Sequence, residues 1–332
     1  MASQVLVFGT GSVGSVYAYL LCKALGDSNI TTVCRSNYDA ASENGLTINS
    51  TLFGEGVNCR PRVIRSVAES VDKALGPYDY IIVTAKALPT TPPIPSQLKP
   101  AISSTTSIVL IQNGVGIEEI YRSAFPDNPI LSCVTYLPVT QTSPAVFQHR
   151  EVEKLHVGTF PANAPPHHKA AAEAFVSLIT NGGATATHHG DIGHERWSKL
   201  LVNASWNPVC AISRSRDAQF MAASSHAAEY VRAVMMEIVS IAQSAGYSKI
   251  TSETVDWQMG RAKARPLPGI EPSMLADALA GRQMEADAIV GNAIRIADAN
   301  GIQAPLLKAN YVLLQALNES FRRTQDAQRQ GS

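Results

Sequence analysis

The chain has no excess of charge of either sign. It contains 27 Lys and Arg residues and 27 Asp and Glu residues among 332 positions. A balanced chain offers no net attraction to nucleic acid or to an anionic membrane surface. The sequence also has no run of the roughly 18 to 20 apolar residues that a membrane-spanning helix needs. We therefore expect neither nucleic acid nor a membrane as a partner.

Cysteine is scarce, and its spacing fits neither a disulfide framework nor a metal site. The five cysteines are widely scattered and include no CxxC pair. The eight histidines form no HExxH motif and no Cys/His cluster, so no metal is expected. The apolar stretch near the start is too short for the core of a signal peptide. These features predict a cytoplasmic protein in a reducing compartment.

A glycine-rich turn follows the first predicted strand, residues 4–8, and precedes a helical pattern at 16–25. Its sequence, G-x-G-x-x-G, is weak evidence alone but becomes stronger between a strand and a helix. In such a loop the first glycine makes the turn, the second lets the backbone approach a pyrophosphate, and the third permits close packing. The pattern predicts a dinucleotide site rather than an ordinary turn. The predicted cofactor contacts are Gly9, Thr10, Gly11, Ser12, Val13 and Gly14.

The residue after the second predicted strand indicates which dinucleotide is bound. That strand, residues 30–34, ends at Arg35, about twenty residues beyond the glycine loop. An NAD site usually has Asp or Glu here to bind the ribose 2′-hydroxyl, whereas arginine suits a 2′-phosphate. Ser36 and Asn37 are placed to add hydrogen bonds. The sequence predicts NADPH, with an ordinary surface arginine as the alternative.

Two further predicted strands, residues 78–84 and 107–111, are each followed closely by a polar side chain. Lys86 comes after the first and Asn113 after the second. Ligands of open α/β sheets bind outside the carboxyl ends of the strands, so both residues are expected to meet cofactor or substrate. The alternatives are a solvated lysine and an asparagine that forms a turn before Gly114.

The alternation of strands and helices ends near residue 190. Other strands are predicted at residues 44–49, 57–64, 130–136, 145–149, 154–158 and 182–187, and a helix at 170–179. The chain after residue 190 has almost only helical periodicity. We predict an α/β fold, with a Rossmann-type NADPH-binding domain over residues 1–189 and an all-helical substrate and catalytic domain over 190–332.

One predicted helix, residues 194–208, carries a line of polar groups. Lys199, Asn203 and Asn207 are spaced by four residues and so share one face. The flanking residues are apolar enough to leave little of this helix for water. The line predicts a proton donor and two amides directed at a small polar substrate, and a solvated polar face is the alternative.

The last third of the chain adds two candidates. Ser273 is predicted to cap a long helix over residues 274–300, and a capping serine can also contact a ligand. Glu285 falls within that helix on a largely apolar face, where a carboxylate is either an exposed residue at the edge of that face or the partner of a buried cation such as Lys199. The polar tail, residues 322–332, is predicted to be frayed or disordered.

Together these motifs resemble the ketopantoate reductase (2-dehydropantoate 2-reductase) family over about residues 4 to 315. The elements that carry the resemblance are the glycine loop, Arg35, T-x-K, Q-N-G, W-x-K-L-x-x-N-x-x-x-N-P, S-M-L-x-D and the later glutamate. The resemblance implies an oxidoreductase that uses NADPH to reduce ketopantoate to (R)-pantoate in pantothenate and coenzyme A biosynthesis. Its partner would be a small-molecule 2-oxo acid, and formation of a homodimer is left open.

The resemblance also implies roles for individual residues. Lys199 matches the general acid, and Glu285 matches the glutamate that positions the substrate and tunes the lysine. The implied substrate-binding residues are Asn113, Asn203, Asn207 and Ser273. The implied cofactor-side residues are Gly9, Gly11, Gly14, Arg35, Lys86 and Asn113.

The sequence departs from the family pattern at two places. It has Val290-Gly291-Asn292 where an Asn-Gly pair is common, and Asn292 is expected to face the same way as Glu285. Residues 135–146 replace a run richer in glycine and small residues. Two alternatives therefore stay open: a reductase of the same mechanism for another 2-oxo acid, and a non-catalytic sensor of NADPH.

Overall fold

The computed structural model describes residues 2–330 and side chains as far as residue 328. The chain forms two compact units, one comprising Met1–Gln112 with Glu118–Ile192 and the other comprising Asn113–Ile117 with Gly193–Ser332. The long segment of the second unit therefore begins at Gly193, three residues after residue 190, where the second domain was predicted to begin. The short segment Asn113–Ile117 belongs to the second unit, although the sequence places it within the first. The first unit is α/β and the second helical, which confirms the predicted fold class.

The first unit is built on two β-sheets. Its strands are β1 (Val5–Phe8), β2 (Ile30–Val33), β3 (Leu46–Ser50), β4 (Gly54–Cys59), β5 (Arg62–Ile64), β6 (Tyr80–Val83), β7 (Ser107–Leu110), β8 (Ile130–Tyr136), β9 (Val139–Ser143), β10 (Val146–His149), β11 (Lys154–Phe160) and β12 (Ala186–His188). The larger sheet has the order β12-β11-β8-β7-β6-β1-β2-β5, and the smaller has the order β4-β3-β10-β9. From β5 to β8 the larger sheet is parallel.

Three strands of the larger sheet are buried along their whole length. β2, β6 and β7 are fully buried, as strands of a parallel sheet are when helices cover both faces. The helices of this unit are α1 (Ser12–Leu25), α2 (Tyr38–Asn44), α3 (Val67–Asp72), α4 (Ile94–Leu98), α5 (Glu119–Ala124) and α6 (Pro166–Asn181), with short 3-10 turns at Asp27–Asn29 and Lys99–Ala101. The burial of these strands explains why their apolar runs could be recognised in the sequence.

One strand prediction was wrong, and one strand was not predicted. The single strand predicted over residues 57–64 is two strands, β4 and β5, that lie in different sheets. Pro61 stands between them, and proline cannot donate a hydrogen bond to a continuing ladder. The strand β9 was not predicted, because four of its five residues are exposed and it lacks the apolar alternation of a half-buried strand.

The second unit is helical. Its helices are α7 (Gly193–Ser213), α8 (Asp217–Ala223), α9 (Ala227–Ser244), α10 (Ser252–Lys263), α11 (Ser273–Leu279), α12 (Asn292–Ala299) and α13 (Pro305–Gln330), with a π-helical turn at Asp287–Gly291. α7 packs against α9, α11 and α13 and so runs through the core of this unit. Within the described residues, no helix has both the length and the apolar character to cross a membrane.

The predicted long helix over residues 274–300 is broken. α11 ends at Leu279, and Gly281 adopts a left-handed φ of 62°, a backbone state that commonly ends a helix. Asn318 then holds the intervening chain, since its side chain accepts from Met284 N at 2.8 Å and donates to Met284 O at 3.0 Å. The apolar periodicity on either side of the break concealed it in the sequence.

The predicted disorder of the tail is also wrong where the structure describes it. α13 continues to Gln330, so most of residues 322–332 are helical, and residues 331–332 lie outside the described residues. Arg322 pairs with Glu319 and Asp326, three and four positions away, where helix geometry brings side chains together. These local ion pairs support a helical segment that has little apolar content.

Candidate active site

The glycine loop of the first unit has the geometry that a dinucleotide site needs. Gly9 has a φ of 101°, and a Cβ added there would lie 2.3 Å from the backbone nitrogen of Ala85. A Cβ at Gly14 would lie 2.5 Å from Gly9 O. At Gly11 an added Cβ would meet no atom within 4 Å. Packing thus explains the first and third glycines, whereas the second leaves open space where a pyrophosphate could approach the backbone.

The start of α1 is suited to a phosphate group. No side chain caps the helix, which begins at Ser12, and its first turn contains no acidic residue. The N–H groups of a first helical turn lack partners within the helix and carry the positive end of the helix dipole. The residues fit the anionic part of a dinucleotide at this position.

Thr10 shapes the glycine loop through hydrogen bonds within the protein. Its hydroxyl donates to Val33 O at 3.0 Å, and its backbone N–H donates to the same oxygen at 3.3 Å. Thr84, in the T-x-K motif, donates to Gly9 O at 2.7 Å and so holds the loop from the β6 side. Lys86, two residues later, is exposed.

Arg35 and Ser36 are exposed directly after β2, where the sequence predicted a 2′-phosphate site. Asn37 is buried instead, and its amide is engaged within the protein. Its Nδ2 donates to Thr10 O at 3.0 Å, and its Oδ1 accepts from Gln141 Nε2 at 2.8 Å and from Ala145 N at 3.2 Å. The predicted hydrogen bond from Asn37 to the phosphate is therefore wrong, and this residue links the glycine loop to the β9–β10 hairpin.

The second unit brings Lys199 and Asn113 together. Lys199 lies on α7 and is half-buried, and its Nζ donates to Asn113 Oδ1 at 2.8 Å. Arg196, one turn earlier on α7, donates through Nη1 to Gly114 O at 2.9 Å. Gly114 has a φ of 101°, and a Cβ there would lie 2.1 Å from Ala288 O, so this position requires glycine.

The surroundings of Lys199 make its ammonium unusually acidic. Burial, followed by the positive charge of Arg196, lowers the pKa of Lys199 from 10.5 to about 8, and Glu285 opposes part of this shift. A group with a pKa near neutrality is both protonated at physiological pH and able to give its proton away. These are the properties of a general acid.

The predicted polar face of α7 is present. Lys199, Asn203 and Asn207 all lie within this helix, at successive turns. Asn203 is half-buried, and Asn207 is only 4% exposed. The Nδ2 group of Asn207 is buried with no hydrogen-bond partner among the described residues. Because an unpaired buried donor is costly, this amide is suited to donate a hydrogen bond to an oxygen of a ligand.

The other predicted residues of this unit occupy different local positions from those expected. Ser273 is the first residue of α11 and is exposed, while Pro272 precedes the helix, so Ser273 is not its N-cap. Glu285 is 8% exposed and lies just before the π-helical turn, not in the middle of a helix. Its backbone carbonyl accepts from Ile289 N at 3.1 Å.

Asn292 holds the segment that carries Asn113. Its Nδ2 donates to Val115 O at 2.6 Å, and Arg295 donates to its Oδ1. Val115 N in turn donates to Ala288 O at 3.3 Å, a carbonyl in the π-helical turn. Such turns disrupt the regular bonding of a helix and are frequent at functional sites. The contact between Asn292 and residues 113–117 was not predicted.

Comparison with known proteins identifies the family. Residues 5–162 match the family model "Ketopantoate reductase PanE/ApbA", and residues 191–318 match "Ketopantoate reductase PanE/ApbA C terminal". The chain belongs to the ketopantoate reductase family. This is a family of NAD(P)-dependent oxidoreductases, in agreement with the resemblance read from the motifs.

Individual relatives extend along nearly the whole chain. A Saccharomyces cerevisiae protein, "Uncharacterized protein YDL144C", is 31% identical and covers 94% of this chain and 92% of its own length. The crystal structure of 2-dehydropantoate 2-reductase from Methylococcus capsulatus is similar with a TM-score of 0.82 and 29% identity, covering 96% of this chain and 97% of that one.

A third relative shares the fold only. A ternary structure of D-mandelate dehydrogenase with NADH and anilino(oxo)acetate has a TM-score of 0.83 at 20% identity, covering 96% of this chain and 99% of that one. The fold is therefore found with more than one substrate and with NADH as well. The choice of substrate and cofactor has to be argued from the residues of this chain.

Proposed function

We propose that this ketopantoate reductase family member is an NADPH-dependent 2-dehydropantoate 2-reductase, which forms (R)-pantoate for pantothenate and coenzyme A biosynthesis. The observation that carries the proposal is the Lys199 ammonium, whose pKa is lowered and whose Nζ lies 2.8 Å from Asn113 Oδ1. Lys199 shares a face of α7 with Asn207, whose amide Nδ2 has no partner among the described residues. A proton donor beside free hydrogen-bonding capacity suits a small substrate with a carbonyl group and a carboxylate.

Lys199 acts as the general acid in this proposal. NADPH, when bound, supplies the hydride that reduces the carbonyl carbon of the 2-oxo acid. Lys199 gives a proton to the carbonyl oxygen, and its positive charge stabilises the alkoxide that develops there. Glu285 limits how far the pKa of Lys199 falls, which keeps the ammonium protonated at neutral pH.

The amides and the hydroxyl of the second unit bind the substrate. Asn203 and Asn207 follow Lys199 at one and two turns along α7, so they hold the substrate beside the ammonium. Asn113 both holds Lys199 and contacts substrate or cofactor. Ser273, exposed at the start of α11, binds the substrate carboxylate or hydroxyl.

Arg35 and Lys86 select and hold the cofactor. An exposed arginine after β2 matches a 2′-phosphate, and no acidic residue occupies that position for a 2′-hydroxyl. Gly9, Gly11, Gly14 and the first turn of α1, including Ser12 and Val13, receive the pyrophosphate. Lys86 adds a positive charge beyond the end of β6.

The test is NADPH oxidation, followed by absorbance, with ketopantoate and a panel of other 2-oxo acids. Lys199→Ala is expected to lose about 10²- to 10⁴-fold in turnover and to retain NADPH binding. Lys249→Ala, which removes an exposed lysine of the same unit, is the matched control and should keep full activity.

Three other results would contradict parts of this proposal. Turnover of a different 2-oxo acid, but not of ketopantoate, would retain the chemistry and change the substrate. Tight NADPH binding without turnover of any acid would favour the non-catalytic sensor. Unchanged turnover in Lys199→Ala would remove the general-acid role.

A further inference from the structure

Arg196 is a buried cation that the family motifs do not include. It is 6% exposed, and its Nη1 donates to Gly114 O at 2.9 Å. Arginine is rarely buried unless its charge has a use or a partner. Nothing in the sequence singled it out, because it lies just outside the W-x-K-L motif.

Arg196 and Lys199 act on adjacent residues of one loop. They are three positions apart on α7, a spacing that places side chains on the same helix face. Arg196 binds the carbonyl of Gly114, and Lys199 binds the side chain of Asn113. The loop therefore receives two cationic hydrogen-bond donors from one helix, and the position of Lys199 is coupled to that of Arg196.

We propose that Arg196 is a positioning residue for the proton transfer: its guanidinium fixes the Asn113 loop on α7 and places a second positive charge on the helix face that carries Lys199. The inference rests on the proposed function insofar as it concerns catalysis. The physical reason is Coulombic, because a second positive charge destabilises a half-buried ammonium and not the neutral amine.

The charges around Lys199 support this assignment. The acidity of Lys199 has three causes: burial, the guanidinium of Arg196 and the opposing carboxylate of Glu285. Glu195 and His194 share α7 with Lys199 and are half-buried. Four carboxylates on neighbouring elements of the unit form the following bonds: Asp217 with Arg265, Asp277 with Arg282, Glu237 with the N–H groups of Leu306 and Leu307, and Asp287 with Tyr311.

The experiment follows the titration of Lys199 directly, so it needs no turnover. The full-length protein is labelled with carbon-13 in its lysine side chains, and the Lys199 signal is assigned by its loss in Lys199→Gln. The titration is compared in three variants. Arg196→Gln removes the charge but keeps an N–H donor for Gly114, Arg196→Lys keeps the charge, and Arg232→Gln is a matched change at an exposed arginine of the same unit.

The expected result is that the wild-type Lys199 signal titrates near pH 8. Its midpoint should move to higher pH in Arg196→Gln and stay near the wild-type value in Arg196→Lys and Arg232→Gln. A midpoint unchanged in Arg196→Gln would overturn the proposal. A titration midpoint of Lys199 in the ordinary lysine range would also overturn the proposal. That measurement is made on the wild-type protein, so it does not depend on the folding of any variant.

A second measurement separates this inference from the proposed function. If the protein reduces a 2-oxo acid, the alkaline limb of its kcat/KM profile should move to higher pH in Arg196→Gln, in parallel with the titration. A merely structural role would lower activity at every pH and leave the limb in place, which would overturn the inference. A shifted titration in a protein without turnover would refute the reductase and support the effect of Arg196 on Lys199.

Discussion

Lys199 and Asn113 are joined by a 2.8 Å hydrogen bond although they lie 86 positions apart in the chain. Both belong to the second unit, where residues 113–117 pack with the helices. The ammonium donates and the amide oxygen accepts, so this hydrogen bond directs the Lys199 side chain.

Asn113→Asp should weaken Lys199 as an acid. A carboxylate beside the ammonium favours its charged form and therefore raises the pKa of Lys199 above about 8. We expect kcat to fall about tenfold or more at neutral pH and the alkaline limb of the pH–rate profile to move to higher pH. Steady-state kinetics across pH would check this. An alkaline limb at lower pH than in the wild type would contradict it.

The first two glycines of the loop should respond differently to alanine. Gly9→Ala is expected to destabilise the first unit, because its Cβ would lie 2.3 Å from Ala85 N at a left-handed φ. Gly11→Ala should leave the melting temperature unchanged, since its Cβ meets no protein atom within 4 Å. It should still weaken NADPH binding about tenfold or more, or roughly 1.4 kcal/mol. Thermal melts and cofactor titration of both variants separate these effects, and an unaltered NADPH affinity in Gly11→Ala would count against the loop as the pyrophosphate site.

Arg35→Ala should reduce the preference for NADPH. Removing the guanidinium takes away a charge-assisted partner of the 2′-phosphate, so the Kd for NADPH should rise about tenfold or more. The Kd for NADH should not change, which makes NADH the internal control. Fluorescence titration with both cofactors measures the two constants. A similar loss for both would show that Arg35 does not read the 2′-phosphate.

Glu153 should make the stability of the protein depend on pH. Burial raises its pKa above 4.5, although a hydrogen bond from the backbone N–H of Thr185 and another from the Tyr17 hydroxyl oppose the shift. The fold thus favours the protonated carboxyl, and this contribution is fully present below the unfolded pKa and is lost as pH rises through the folded pKa. Glu153→Gln, which cannot ionise, should therefore gain free energy of unfolding relative to the wild type as pH rises from below 4.5 to neutrality.

Denaturant unfolding at several pH values tests the Glu153 prediction. Glu229→Gln changes an exposed carboxylate in the same way and is the matched control. A difference between Glu153→Gln and the wild type that stays constant with pH would show that the carboxyl does not titrate in this range.

The parts of the fold and site that the sequence predicted well are local. The strand–loop–helix around Gly9, Gly11 and Gly14 was readable because the three glycines stand together between a short apolar strand and a helical pattern. The face shared by Lys199 and Asn207 was readable because helix geometry fixes which side chains are neighbours. In both places a short stretch of sequence was sufficient to predict the local structure.

The parts that were missed depend on contacts between distant segments. Asn37 appeared to be a cofactor ligand, yet Gln141, on the unpredicted strand β9, engages its amide. Glu285 was assigned to a long helix because nothing local revealed that Asn318 secures a break near Met284. Arg196 drew no prediction, because only the fold brings its guanidinium to the carbonyl of Gly114. Spacing along the chain carries no information on such pairs.

The membership of Asn113–Ile117 in the second unit has a consequence for any recombination of this chain with a relative. A chimera joined at residue 192 would take the helices from one parent and the loop beneath Lys199 from the other. The hydrogen-bond acceptors would then come from one parent protein and their donors from the other. The acceptors are at positions 113 and 114, and the donors are at positions 196 and 199. A chimera that keeps these hydrogen bonds must therefore take both segments of the second unit, Asn113–Ile117 and the chain from Gly193 onward, from the same parent.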